Sequence, residues 1–269
     1  MGPELPHVMV VGAGELGSAA CHKLSRSGLR VVAVDMQTPV CIRRRVCFAV
    51  ALTEGRAEVE GVVARKSTPD RALDLEAQGI IPVIPGDYRM YLGGLGIDVL
   101  VDARMLKGNS EFIKGAAPFT VGLGPGFLAG RSADAVIETK RGHDLGRVIY
   151  EGSAEADTGV PGEIRGMSAE RVVRAPAGGV FSGGIALGTL VRRGRRLGVI
   201  GGATEVVAPI DGMLRGLVAD GIRVAEGQKM GDVDPRGPEI NVDTISDKGR
   251  AVAGGVLEAV MARWSGNDA

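Results

Sequence analysis

Aromatic residues are scarce in this chain: one Trp, three Tyr and five Phe among 269 residues. The core must therefore be built from Val, Ile, Leu and Ala. Net charge is also missing, because Lys+Arg and Asp+Glu are 32 each. Nothing in that balance draws nucleic acid or anionic lipid from a distance, so neither is an expected partner. Two local basic runs, Arg43 to Arg45 and Arg192, Arg193, Arg195 and Arg196, read as solvated faces before binding sites. Cys21, Cys41 and Cys47 form no CxxC pair and no disulfide framework, which suits a reducing compartment. No apolar run approaches the roughly 18 to 20 residues that a membrane span needs. The first residues lead into an apolar strand without the pattern of an export signal, so a cytoplasmic location is expected. HExxH, clustered Cys/His, GxSxG and GKS/T patterns are absent, which weakens zinc-enzyme, hydrolase and P-loop readings; no metal site is expected.

What the chain has in excess is glycine, 43 against 13 prolines, and its glycines fall at informative places. His7 to Val11 reads as a strand and is followed by Gly12-Ala-Gly14-Glu-Leu-Gly17. A helix over Ser18 to Arg26 and a second strand from Arg30, closing on Asp35, complete a strand, glycine turn, helix, strand order. Gly12 permits the tight turn, Gly14 a close approach of phosphate to backbone, and Gly17 tight packing of the helix on the sheet. Asp35 stands where a carboxylate can accept hydrogen bonds from ribose hydroxyls. A helix is expected over Pro39 to Thr53, a strand or edge hairpin over Val59 to Ala64, and a helix over Pro69 to Gln78. Short apolar strands follow at Ile80 to Ile84, Ile97 to Asp102, Phe119 to Gly122 and Ala135 to Thr139. Their spacing favours a Rossmann-like, mostly parallel sheet.

Two of these strands end in candidate chemistry. Asp102, Arg104 and Lys107 lie just past one strand, where open α/β sheets bind ligands, although a structural salt bridge fits the first two equally well. Gly122, Gly124 and Gly126 follow the next, as a turn or as an anion-binding array of N–H groups. His143, flanked by Arg141 and Asp144, is a candidate acid–base or ligand-contact group.

An internal repeat closes the chain. Ala175-Pro-Ala-Gly-Gly-Val-Phe181 recurs as Ala208-Pro-Ile-Asp-Gly-Met-Leu214, 33 residues on, and Gly188, Val191 and Gly194 recur as Gly221, Val224 and Gly227. Two such copies can interlock around one core as a biotinyl/lipoyl-like barrel-sandwich. The hairpin between copies, Ile200 to Val206, contains no lysine, which argues against a swinging-arm carrier. A final helix, capped by Ser246 or Asp247, runs through Arg263 and is expected to return to the first domain. The expected division is a Rossmann-like cofactor-binding domain over 1–140, a linking segment over 141–170, a barrel-sandwich over 171–238 and the helical tail over 239–269.

The runs Gly122-Leu-Gly-Pro-Gly-Phe127, Glu138-Thr-Lys-Arg-Gly-His143, Leu145-Gly-Arg-Val-Ile-Tyr-Glu-Gly-Ser153 and Thr158-Gly-Val-Pro-Gly-Glu163 resemble the YqeB family of selenium-dependent molybdenum hydroxylase accessory proteins. Ala208-Pro-Ile-Asp-Gly212, Gly231-Asp-Val-Asp-Pro235 and Thr244-Ile-Ser-Asp-Lys248 extend the resemblance over nearly the whole chain. It implies a role in maturation or cofactor handling, with a molybdenum hydroxylase or its maturation machinery as partner. A small phosphorylated ligand is implied with it, a molybdopterin-type cofactor or a nucleotide such as NAD(P). Cys41 or Cys47 could then carry sulfur or selenium transiently. The competing readings are an NAD(P)-dependent oxidoreductase and a non-enzymatic assembly adaptor.

Overall fold

The computed structural model describes residues 5–106, 111 and 113–266, and divides into two compact units. Unit 1 comprises residues 1–39, 46–158 and 245–269; unit 2 comprises 40–45 and 159–244.

Unit 1 begins with β1 (His7–Val11), α1 (Glu15–Arg26) and β2 (Arg30–Asp35). A one-turn helix α2 (Ala51–Glu54) leads to β3 (Arg56–Val59) and β4 (Val62–Lys66), then α3 (Pro69–Ala77) and β5 (Ile81–Pro85). Next come α4 (Leu92–Leu95), β6 (Val99–Asp102), β7 (Phe119–Leu123), β8 (Ala135–Ile137) and β9 (Val148–Ile149). The nine strands form one sheet in the order β3-β4-β5-β2-β1-β6-β7-β8-β9. The strands from β4 to β8 in that order are parallel, while β3 and β9 pair antiparallel at the two edges. The central strands β1, β6 and β7 are buried along their whole length, as expected of parallel strands covered on both faces.

Helix α5 (Asp247–Trp264) lies against α1, with Val252, Val256 and Val260 on its buried face. Burial of each such side chain contributes about 1.5–3 kcal/mol. Its start is capped by Ser246, whose hydroxyl accepts from the Gly249 amide at 3.1 Å. Gly255 lets the helix close on the β8–β9 turn, because a Cβ there would stand 2.1 Å from the Gly146 carbonyl oxygen.

The expected Rossmann-like description fails as a regular alternation of strand and helix. The predicted helix over Pro39 to Thr53 is instead two 3-10 turns, Arg44–Val46 and Phe48–Val50, followed by the single turn of α2. Among the described residues no helix connects β6 to β7 or β7 to β8. Strand β7 makes its contacts with α5 from the chain's far end instead.

Unit 2 contains β10 (Val172–Arg174), β11 (Gly179–Ser182), β12 (Leu190–Val191), β13 (Arg196–Ile200), β14 (Thr204–Val207), β15 (Gly212–Leu217), β16 (Arg223–Val224) and β17 (Lys229–Asp234). They form two four-stranded sheets, β10-β17-β15-β12 and β14-β13-β11-β16. The 33-residue offset carries through to the hydrogen bonds. Phe181 N–H donates to Ile222 at 2.9 Å, and Leu214 N–H donates to Thr189 at 2.9 Å. Gly221 N–H donates to Phe181 at 2.8 Å, and Gly188 N–H donates to Leu214 at 2.9 Å. Each copy thus supplies a strand to the other, β11 pairing with β16 and β12 with β15. The shared core holds Phe181, Leu197, Ile200, Leu214, Met230 and Val233, with Ile42 from the early segment packed against it.

One sheet of unit 2 also carries buried charge. Asp232 lies 2.5 Å from Arg171 and 3.0 Å from Arg215, and Asp234 lies 3.3 Å from Arg215 and 2.7 Å from Arg236. Burial by itself would raise the Asp234 pKa, but hydrogen bonds from Arg236 and the charge of Arg215 hold it below the ordinary carboxylate range.

Candidate functional site

The carboxyl ends of β1, β2 and β6 bring together residues far apart in sequence. Gly12 turns the chain with φ +90°, and its amide donates to the Val34 carbonyl at 2.8 Å. Asp35 closes the arrangement: one carboxylate oxygen accepts from the Ala13 amide at 2.7 Å and the other from the Met36 amide at 2.8 Å. Burial raises the Asp35 pKa, against the lowering effects of these two amides and of the Arg104 charge.

The three glycines of the turn have different physical reasons. Gly12 needs its positive φ, and a Cβ there would also meet the Arg104 backbone at 3.0 Å. At Gly17 a Cβ would stand 1.8 Å from the Gly12 carbonyl oxygen, so only glycine lets α1 approach the turn. Gly14 has neither constraint: its φ is −70°, and a Cβ there would meet nothing within 4 Å. Open space therefore lies against the backbone where α1 begins. No side chain caps that helix start, and the N–H groups of a first helical turn have no intrahelical acceptors.

Arg104 forms the opposite side. Its guanidinium binds Asp102 through Nε at 3.1 Å and Nη2 at 2.5 Å, and reaches Glu111 at 2.9 Å. Burial opposes the Arg104 cation, yet the hydrogen bonds and charges of Asp102 and Glu111 outweigh it and raise its pKa. Asp102 is 2% exposed while Arg104 is 23% exposed, so the pair is anchored at the carboxylate and open at the guanidinium. The Tyr88 ring lies 5.4 Å from Arg104 and 4.9 Å from Arg89, and Arg89 also pairs with Glu111 and Asp87. Tyr88, Arg89 and Glu111 were not legible as site residues. The available signal was Gly86-Asp87 directly after the strand Ile81–Pro85, which places the next residues at the same sheet end.

The remaining candidates separate. Gly122 packs beneath Phe127, whose ring a Cβ would meet at 2.3 Å. Gly124 has φ +76°, and its amide already donates to Ile137 at 2.9 Å. Gly126 has φ +103°. Gly122 is accordingly committed to packing and the Gly124 amide to the neighbouring strand. His143 sits exposed on the β8–β9 turn, and among the described residues no hydrogen bond or ion pair joins it to the Asp35–Arg104 group. Lys107 lies outside the described residues. All three cysteines are buried, with burial raising the Cys21 pKa. Among the described residues no group of three or more His, Cys, Asp or Glu is arranged to hold a metal ion, and no helix is long and apolar enough to cross a membrane.

No protein-family model matches the chain. Among solved structures it is similar to a succinylglutamate desuccinylase/aspartoacylase from Rhodobacter sphaeroides, with 17% identity, 86% of this chain and 85% of that one covered, and a TM-score of 0.26. It is also similar to the product-bound ectoine utilization protein EutE (DoeB) from Ruegeria pomeroyi, with 13% identity, 85% of each chain covered and a TM-score of 0.27. Neither of these neighbours is described as a Rossmann-like domain joined to a biotinyl/lipoyl-like barrel-sandwich, the architecture expected from the sequence. At such TM-scores the likeness says nothing about chemistry. In sequence, the chain is 44% identical over 255 residues to YqeB of Escherichia coli (strain K12), a match covering 94% of this chain and 47% of that protein. The chain thus spans about half the length of the curated relative it matches. Over nearly its whole length, then, the chain is similar to YqeB.

Proposed function

We propose that this chain is an accessory protein in the maturation or cofactor handling of selenium-dependent molybdenum hydroxylases, and that it holds a phosphorylated cofactor or nucleotide at the carboxyl end of its parallel strands. The observation that carries the binding reading is Gly14. Its neighbours in the turn are glycine for reasons internal to the fold, whereas Gly14 faces open space at the start of α1. A phosphate there would accept from first-turn amides and gain from the positive end of the helix. Asp35 keeps acceptor capacity beyond its two backbone bonds, and ribose hydroxyls are suitable donors. Its negative charge also disfavours a 2′-phosphate, so an unmodified ribose fits better than a 2′-phosphorylated one.

Arg104 supplies the cationic side, fixed by Asp102 and flanked by Tyr88. The surrounding carboxylates Asp35, Asp102 and Glu111 keep the positive charge local. One phosphate or pyrophosphate matches this arrangement better than a densely charged polyanion.

Calorimetric titration with CTP, NAD and inorganic pyrophosphate tests the reading. A ribonucleotide should bind, and Asp35→Ala should weaken it by about tenfold, the value of one or two hydrogen bonds to a charged group. No heat with any of the three probes at millimolar concentration overturns it.

A further inference from the structure

Unit 2 contains an internal control for its own surface chemistry. The turn between β12 and β13 reads Val191-Arg192-Arg193-Gly194-Arg195-Arg196, and its counterpart 33 residues later reads Val224-Ala225-Glu226-Gly227-Gln228-Lys229. The two turns have the same backbone. Gly194 and Gly227 have φ of +83° and +74°. Gly194 N–H donates to Ala208 at 2.8 Å, and Gly227 N–H donates to Ala175 at 2.8 Å. Ala208 N–H donates back to Arg195 at 2.8 Å, and Ala175 N–H donates back to Gln228 at 2.9 Å. Ala, Glu and Gln thus serve in one turn where Arg stands in the other, and nothing in the backbone requires four arginines.

All four arginines are exposed. Arg196 lies 3.6 Å from Glu205, and the Arg193 amide donates to Asp211 at 2.6 Å. Among the described residues no ion pair engages the side chains of Arg192, Arg193 or Arg195. Two exposed apolar side chains flank the turn: Leu190 two residues before Arg192, and Val207 directly across the β13–β14 pair from Arg196.

From this asymmetry we infer that the Arg192–Arg196 turn is a docking surface for an acidic segment of a partner protein, one that carries an apolar side chain among its carboxylates. The guanidinium fork matches carboxylates in bidentate geometry, and Leu190 and Val207 provide the apolar contact that such a segment needs. A nucleic acid fits less well, because the turn and its flanks offer no aromatic ring for base stacking and the whole chain has no net charge. A membrane surface fits less well too, because the arginines sit on a tight β-turn without an amphipathic helix.

Fluorescence anisotropy on the full chain tests this with labelled peptides of repeated Glu-Glu-Leu, Glu-Glu-Ser and Gln-Gln-Leu, a DNA duplex, and vesicles of phosphatidylserine and phosphatidylcholine. At about 0.15 M salt the Glu-Glu-Leu peptide should bind most tightly of the five. Giving the first turn the second turn's residues (Arg192→Ala, Arg193→Glu, Arg195→Gln, Arg196→Lys) should weaken that binding by about tenfold or more. The converse pair Ala225→Arg and Glu226→Arg should strengthen it, and decides the matter even if the first exchange fails to fold. Unchanged binding in both exchanged proteins overturns the proposal, as does tighter binding of duplex, vesicle or Gln-Gln-Leu peptide by the natural chain.

Discussion

Each unit holds buried aspartates against arginines, but unit 1 fixes a single guanidinium whereas unit 2 shares its aspartates among three. In unit 1, Asp102 is buried and its partner Arg104 emerges beside the Gly12–Gly14 turn, with one face of the guanidinium near Tyr88. In unit 2, Asp232 and Asp234 are almost fully buried on β17; Arg215 of β15, Arg171 from the turn before β10 and the partly exposed Arg236 pair with them. Burying a charge is costly unless it is paired, and pairing consumes the donors that a ligand would use. Unit 2 thus shares two buried aspartates among three arginines in one network, while unit 1 holds one half-open guanidinium on Asp102 beside the glycine turn, where it can meet an outside group.

This contrast can be broken most severely at Gly17. Gly17→Val should cost more than about 4 kcal/mol, since backbone must move to admit the side chain, and thermal unfolding followed by circular dichroism should show loss of the unit 1 transition. Asp232→Ala should destabilise unit 2 by about 3–5 kcal/mol by leaving Arg171 and Arg215 without a shared acceptor. Denaturant melts should show that loss, with nucleotide affinity retained. Arg104→Ala should do the reverse, costing about 1–3 kcal/mol of probe affinity in the calorimeter with a smaller effect on unfolding.

The pH responses sharpen the same comparison with opposite signs. Asp234 has a lowered folded pKa, so its stabilising contribution is present above the unfolded aspartate value of about 3.9 and is lost only as pH falls through the folded value. Asp35 has a raised folded pKa. Its carboxylate costs stability once ionised, and that cost develops as pH rises from the unfolded value through the folded one. A ligand that donates to both Asp35 oxygens should weaken on acidification at a pH above about 3.9, before unit 2 loses Asp234. Affinity and unfolding measured on one pH series check both halves. An affinity that stays flat until unit 2 unfolds would contradict the role given to Asp35.

Local geometry explains which parts could be read in advance. The helix expected over Pro69 to Gln78 is Pro69–Ala77, because proline at its first position and glycine after its end are local signals. The Ser246 cap is similarly local. Pro39 to Thr53 misled because apolar spacing there resembles a helix, whereas the segment divides between the two units, with Ile42 packed in unit 2 and Phe48 buried in unit 1. At the site, Gly12, Gly14, Gly17 and Asp35 form a contiguous pattern around one helix. Tyr88 and Arg89 join it only through sheet order, which brings the end of β5 alongside the end of β2, and Glu111, after β6, joins through its ion pair with Arg104.

The sequence by itself determined the glycine turn, the 33-residue repeat, the missing lysine in the hairpin and the family resemblance, because each rests on residue identity at short or fixed spacing. Tertiary structure decided that Gly122 packs under Phe127, that Asp102 is closed and Arg104 open, and that two turns of one backbone carry different side chains. Those distinctions depend on which atoms meet across strands distant in sequence, and no local pattern encodes that contact.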